Sequence, residues 1–397
     1  MKSAPLRRGL SLVALAAAAV LAGCETGPSA AELEAQRLAA EAARQPPPVS
    51  LNEGVAQAAS IYVAFLRETA TIQPGGFADA EAIQAALRKG SAYDPAQISR
   101  GLIAYGSIIA LQSPEFLAGV RQYARDPIQR QQMVAQIVAD PAYAATLPGA
   151  EFAAGLITET IGRDIEAVKT VAIGIEQDAY TIQERTDPRR RWAIAHITDR
   201  EARLQSAKTL SMQPMLPSAA DSAALFAAAN SGTGLDVVQG RLAPPYTPAL
   251  TQSLAIAALA ALGAAGDEAR INTEALVVES NSEFCLNLSK LMLFQCLAAS
   301  RPSYEDMFCL GRHVVRDLST CTTQAMKVPI VSVGPPVATE AVAASAEAVQ
   351  SDAVQTPVVQ MAPTPTVRMA PAQTAVQTPV PTTTQSLNQT PVRPPAT

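Results

Sequence analysis

Four cysteines near the C-terminal third of this 397-residue chain, Cys285, Cys296, Cys309 and Cys321, are the side chains whose type and spacing bear most directly on chemistry. Thiols so placed either oxidise in pairs or hold a metal as thiolates. A tetrahedral zinc site normally takes two ligands from one Cys-x2-4-Cys knuckle. These cysteines are separated by ten and eleven residues within each pair, so disulfides are expected and zinc is the competing reading. Three pairings exist, and the helical pattern chooses among them. Ser282 to Ala299 reads as one helix, Arg301-Pro302-Ser303 as a turn, and Tyr304 to Gln324 as a second helix folding back. Facing residues of an antiparallel hairpin share a constant index sum, which is 606 for Cys285 with Cys321 and 605 for Cys296 with Cys309. The crossed pairing shears the hairpin by about three turns, and pairing within one helix must span about 16 Å, beyond disulfide reach. The nested pairs Cys285–Cys321 and Cys296–Cys309 are therefore expected, as a clamp on the end of the domain. In the chain-entropy model each closed loop contributes about 3 to 4 kcal/mol.

This arrangement resembles the twin Cys-x-n-Cys helical hairpins of intermembrane-space proteins. The resemblance spans about forty residues and implies shape alone.

Elsewhere the residues offer less chemistry. His196, on a stretch read as helical between Ala195 and Ile197, and His313, on the second cysteine helix, have no histidine at i+4 and no metal-type neighbour. The chain has no His-Glu-x-x-His, Gly-x-Ser-x-Gly or P-loop. A Ser-x-x-Lys nucleophile is excluded, because Lys89, Lys169, Lys208, Lys290 and Lys327 follow Ala86, Glu166, Gln205, Asn287 and Gln324 at that spacing. Glu151, Glu159, Asp164 and Glu166 read as the solvated face of a long helix rather than a general acid and base. Arg189-Arg190-Arg191 reads as a charged first turn, with an anion patch for phosphate or a lipid head group as the alternative. Gly232 and Gly234 read as a loop, since no lysine or second half of a nucleotide motif follows.

The N-terminus carries the remaining cysteine. Lys2, Arg7 and Arg8 precede an apolar run from Leu10 to Val20, which is a signal-peptide pattern too short for a lasting membrane span. Leu21-Ala22-Gly23-Cys24 resembles the lipobox of bacterial lipoproteins. The resemblance covers these first positions only. It implies cleavage before Cys24, acylation of its thiol and a periplasm-facing protein held on the membrane by lipid. Because Glu25 and not Asp follows, it implies the outer membrane as the default. Several acyl chains on one residue anchor far more firmly than one. Cleavage removes three positive charges and lowers the formal net charge from −5 to −8, which argues against nucleic acid or anionic lipid as a main partner.

The elements that must position these residues read as all-α. Hydrophobic content is 48% while aromatic content is 4%, so alanine supplies much of the core and helices can pack closely. Residues 24–48 form a linker in which Ala30 to Arg44 reads as a short charged helix stopped by Pro46-Pro47-Pro48. Residues 49–327 form a helical bundle or array ending in the four-cysteine hairpin at 282–324. Asp94-Pro95, Ser113-Pro114, Asp126-Pro127, Asp140-Pro141, Asp187-Pro188 and Thr247-Pro248 each place a capping oxygen before a first-turn proline. The spacing from 113 to 140 predicts a row of short helices, either a degenerate repeat or plain antiparallel packing.

Ile161, Ile165, Val168, Ala172, Ile175, Ala179 and Ile182 follow at steps of four and three, a heptad seam on one long helix. A second helix through Trp192, Ile194, Ile197 and Leu204 is expected to pair with it. The seam reads as a face turned to the core, with a dimerising coiled coil as the sharper alternative. From 328 to 397 the chain is rich in Pro, Thr, Val and Gln, and Gln-Thr-Pro-Val recurs at 355, 377 and 389. Such a segment cannot bury enough surface to offset its ordering entropy, so a disordered spacer is expected, with a docking motif as the alternative. No cofactor is implied. The reading is a cell-envelope lipoprotein with a scaffold, assembly or binding role. The alternatives are a peptidoglycan- or glycan-acting enzyme working through carboxylates, and a helical carrier of an apolar ligand.

Overall fold

The computed structural model describes residues 29 to 327. The signal segment 1–23 with its Leu21–Cys24 motif, the Cys24 anchor, and the tail 328–397 lie outside the described residues. Among the described residues the architecture is all-α, with fifteen α-helices and no β-structure beyond two isolated bridges, Leu51 with Ala265 and His196 with Pro302.

Helix α1 (Ala30–Arg44) opens with a capping box: the Ser29 hydroxyl accepts from the Glu32 amide, and the Ser29 amide donates to the Glu32 carboxylate at 2.7 Å. The body then runs through α2 (Glu53–Ala70), α3 (Ala80–Ser91) and α4 (Pro95–Ala110). Apolar or small residues occupy every side of α4, so it becomes the buried axle of the fold, with Ile98, Leu102, Ile103, Ile108 and Ile109 all inside. At Gly101 an added Cβ would lie 2.5 Å from the Ala58 carbonyl, so α2 and α4 cross almost backbone to backbone. The alanine-rich α11 (Pro248–Ala261) lies on another side of α4, and the Ser253 hydroxyl donates to the Ile103 carbonyl at 3.0 Å.

The proline-marked caps explain where these helices begin. Asp94, Ser113, Asp126 and Thr247 accept side-chain bonds from the first turns of α4, α5 (Pro114–Arg121), α6 (Pro127–Ala139) and α11, while Asp140 caps a 3-10 turn at Pro141–Thr146. Asp187 differs. Its carboxylate takes the Arg189 amide at 2.8 Å and the Arg189 guanidinium as well, and α8 (Arg190–Ala193) begins only after it.

Helix α7 (Ala150–Thr181) is the long helix, and every residue of its heptad seam is buried within the chain. The seam is a core face and not a dimerising coiled coil. The expected second helix through Trp192, Ile194, Ile197 and Leu204 is broken into α8 and α9 (Arg200–Ser211). The reason is a non-local hydrogen-bond demand: the Ile197 amide donates to the Arg301 carbonyl at 2.8 Å, and the Ser303 amide to the Ala195 carbonyl at 3.2 Å. The turn of the cysteine hairpin thus draws residues 195–197 into an extended bridge. His196 lies in that bridge and not on a helix.

After α10 (Ala219–Ser231), α11 and the short α12 (Ile271–Glu274), the hairpin closes the body. It consists of α13 (Ser280–Ala299), α14 (Ser303–Leu310), a π-helical stretch Gly311–Arg316, and α15 (Asp317–Met326). The expected single second helix therefore contains a π turn. This turn answers the unequal cysteine spacing. Residues eleven apart on an α-helix, such as Cys285 and Cys296, are about 20° apart in azimuth, whereas residues twelve apart, such as Cys309 and Cys321, are about 120° apart. A π turn closes its hydrogen bond one residue later than an α turn and takes up the extra residue. Both sulfurs of the second helix then return to the side facing α13.

Candidate functional site

The disulfides join Cys285 to Cys321 and Cys296 to Cys309, each with Cα atoms 5.7 Å apart. They hold α13 against the following helices along one flank. On the opposite flank α13 meets α9, where the Lys290 ammonium donates to the carbonyls of Tyr93 and Ser211. Inward, Leu286, Leu293 and Leu297 join the core, and Ser282 meets Ser99 of α4. Helix α13 is thus fixed on three sides.

Its fourth side is apolar too. Phe284, Leu288, Leu291 and Met292 are 68%, 47%, 51% and 39% exposed, and at helical spacing they fall within an arc of about 100°. The charged residues of α13 are Glu283, outside that arc, and Lys290, buried on the other side. Scattered surface apolar residues are ordinary, but a contiguous row along a helix already apolar on its inner face marks a contact surface. The i, i+4, i+7, i+8 spacing of these four side chains was present in the sequence. The sequence alone does not single it out, because the inner Leu286, Leu293 and Leu297 already account for a core helix.

A cleft of about 320 Å³ lies between α3 and α9, lined by Glu81, Gln84, Arg88, Asp199, Arg203 and Leu297 among others. At its base Arg203 and the fully buried Asp306 form an ion pair at 2.5 Å. Asp306 also accepts from Ser300 at 2.6 Å and Gln84 at 2.7 Å, and Arg203 donates to the Leu297 carbonyl. The Nε of Arg203 is buried with no acceptor among the described residues. Arg88 on the wall is paired with Glu81 at 2.6 Å. Nothing in the local sequence marked Arg203 or Asp306, because their pairing depends on how distant helices meet.

The sequence candidates are dispersed. Arg189 is paired with Asp178 and Asp187, each at 2.7 Å, and these bonds raise its pKa further while holding that of Asp187 below the usual carboxylate range. Arg190 donates to the Gln183 carbonyl at 2.8 Å, and Arg191 is exposed, so the triplet is split among three environments. Glu151 pairs with Arg241 and Glu166 with Lys169, while Asp164 lies beside Arg163 and burial raises its pKa. His313 lies 3.2 Å from the Asp317 carboxylate one turn on. Burial lowers the Lys290 pKa to about 8, with Asp94 opposing the shift. No group of three metal-ligating side chains, and no helix long and apolar enough to cross a membrane, occurs among the described residues.

No protein-family model matches the chain, nor does any curated protein or solved structure.

Proposed function

We propose that the chain is a lipid-anchored protein of the bacterial cell envelope with a non-catalytic binding or assembly role. The observation that carries the binding role is the outer face of α13, where Phe284, Leu288, Leu291 and Met292 stand exposed on a helix braced by two disulfides. The anchoring part rests on the Leu21-Ala22-Gly23-Cys24 sequence, and disulfides fit an oxidising compartment. The outer membrane, periplasm-facing, is the location this reading assigns.

Two measurements test it. A radiolabelled fatty acid should enter the full-length chain and not its Cys24→Ser variant; equal labelling of both ends the anchoring reading. A photo-reactive residue at Leu288 or Leu291 should form a protein adduct in membranes of the cells that express the chain, whereas one at Arg130, on α6, should not. Absence of any adduct from α13 ends the binding reading.

A second reading, an enzyme acting on glycan or peptidoglycan, is supported by the cleft that carries Glu81 and Asp199. Release of soluble sugar or peptide from purified peptidoglycan, lost in Glu81→Gln or Asp199→Asn, would favour it over the first.

A further inference from the structure

We propose that the cleft between α3 and α9 binds a small dipolar molecule, one that carries an ammonium group beside a carboxylate or carbonyl oxygen: a free amino acid or the N-terminus of a short peptide. The site is separate from the outer face of α13 and does not depend on what that face meets. Two groups left over from the cleft's own pairing carry the argument, one an acceptor and one a donor.

The acceptor is Asp199, on the rim of the cleft at the N-cap of α9, where its side chain makes no bond to the first turn. The neighbouring charges are matched to one another, Arg88 with Glu81 at 2.6 Å and Arg203 with Asp306 at 2.5 Å. Among the described residues the Asp199 carboxylate is therefore the charge of the cleft that lacks a counter-ion. The donor is Arg203, whose side chain is 7% exposed. Its Nη1 serves Asp306 and Ser300, its Nη2 serves the Leu297 carbonyl, and its Nε has no acceptor among the described residues. A buried donor left unmatched keeps its full desolvation cost, so an oxygen brought to it is favoured.

Helix α9 brings the two together. The Arg203 amide donates to the Asp199 carbonyl at 3.0 Å, which places the residues one turn apart on one face. Side chains so spaced ordinarily pair with each other, but Asp306 draws the guanidinium inward and leaves the carboxylate at the rim. One turn rises about 5.4 Å, a gap that an ammonium and an oxygen on adjacent carbons span with one hydrogen bond at each end. The Nε is sealed from solvent, so the ligand oxygen reaches it as a side chain of the cleft wall turns aside, a rotamer change common on binding. Other occupants leave a group unmet. An anion is repelled by Glu81 and Asp199 at the rim, an apolar ligand satisfies neither group, and a neutral sugar offers oxygen to Nε but no charge to Asp199. At about 320 Å³ the cleft holds a molecule of one or two amino-acid residues.

The test is isothermal titration calorimetry on the full-length chain purified in detergent. The probes are alanine, a free amino acid, and alanyl-alaninamide, a peptide N-terminus without a carboxylate. At least one should bind with a dissociation constant on the order of 0.1 to 1 mM, and which of them binds tells the free amino acid from the peptide end. N-acetylalanine, which lacks the ammonium, should bind roughly tenfold more weakly or worse, and so should the probe to Asp199→Asn, whose melting temperature should match that of the wild type because this side chain caps nothing. Arg203→Lys keeps a cation against Asp306 and removes the Nε donor, and it too should weaken binding. Ser206→Trp should block the cleft, whereas Glu166→Gln on α7 should change nothing. The proposal falls if neither probe binds, if N-acetylalanine binds as well as alanine, or if Asp199→Asn binds as the wild type does. Binding of N-acetylglucosamine where neither probe binds also overturns it and hands the cleft to the glycan reading.

Discussion

Arg203 and Asp306 lie 103 residues apart in sequence, yet the guanidinium Nη1 stands 2.5 Å from the carboxylate inside the protein, at the point where α9, α13 and α14 converge. Ser300 and Gln84 supply the carboxylate's other bonds, so one buried acid ties together four segments of the chain. A buried pair is weak evidence of net stabilisation, but breaking one side of it is costly, because the remaining charge is stranded.

Asp306→Ala should accordingly lower the unfolding free energy by about 3 to 5 kcal/mol. Chemical denaturation reads this directly. In a double-mutant cycle with Arg203→Met the coupling should exceed about 1 kcal/mol, and additive effects would show that the two side chains do not act as a pair.

The two disulfides close loops of different length, with sequence separations of 36 for Cys285–Cys321 and 13 for Cys296–Cys309. Replacing either pair by alanine should cost about 2 to 5 kcal/mol, and loop entropy makes the outer pair worth roughly 0.9 kcal/mol more. Urea midpoints of the two double variants decide the order.

Two glycines on α7 should respond oppositely to alanine. At Gly155 an added Cβ would lie 2.2 Å from the backbone of Gly240 and Arg241, where residues 238–242 are strapped along the helix by the bonds from Val238 to Thr160 and from Leu242 to Glu151. Gly155→Ala should therefore cost about 1 to 3 kcal/mol. At Gly162 the nearest atom is the mobile end of Lys327 at 3.3 Å, so Gly162→Ala should stabilise by about 0.5 to 1 kcal/mol through helix propensity. Thermal unfolding of the pair provides the check.

Lys290 makes stability depend on pH. Burial lowers its folded pKa to about 8, against an ordinary value of 10.5, so between these limits the unfolded chain binds the proton that the folded chain has released. Unfolding then takes up a proton, and stability rises with pH across this window by at most about 1.4 kcal/mol per unit. Below pH 8 the charge is carried in both states and the cost of burying it is present in full. The wild-type protein should gain on Lys290→Met as pH climbs from 8 to 10.5, and parallel profiles would refute the assignment.

Local signals carried most of the helical frame. The Asp-Pro, Ser-Pro and Thr-Pro caps depend on neighbours within one turn, and the cysteine register on two adjacent helices, so both could be read from the chain. The break between α8 and α9 could not, because Ile197 and Ala195 satisfy their backbone groups against Arg301 and Ser303 about a hundred residues away. The periodic Trp192, Ile194 and Ile197 spelled a helix, and a distant turn overrode it. The Arg203–Asp306 pair escaped for the same reason. The exposed row on α13 was visible as spacing, yet which of two apolar faces turns outward is settled only when the rest of the fold takes one of them.

The nested disulfides have a thermodynamic consequence for whatever meets α13. A helix covalently fixed at Cys285 and Cys296 cannot fray or shift register when another surface approaches, so Phe284, Leu288, Leu291 and Met292 have lost their backbone freedom before any encounter. The ordering penalty that weakens small interfaces has been met at folding, and what remains to be lost on contact is side-chain rotation and overall tumbling.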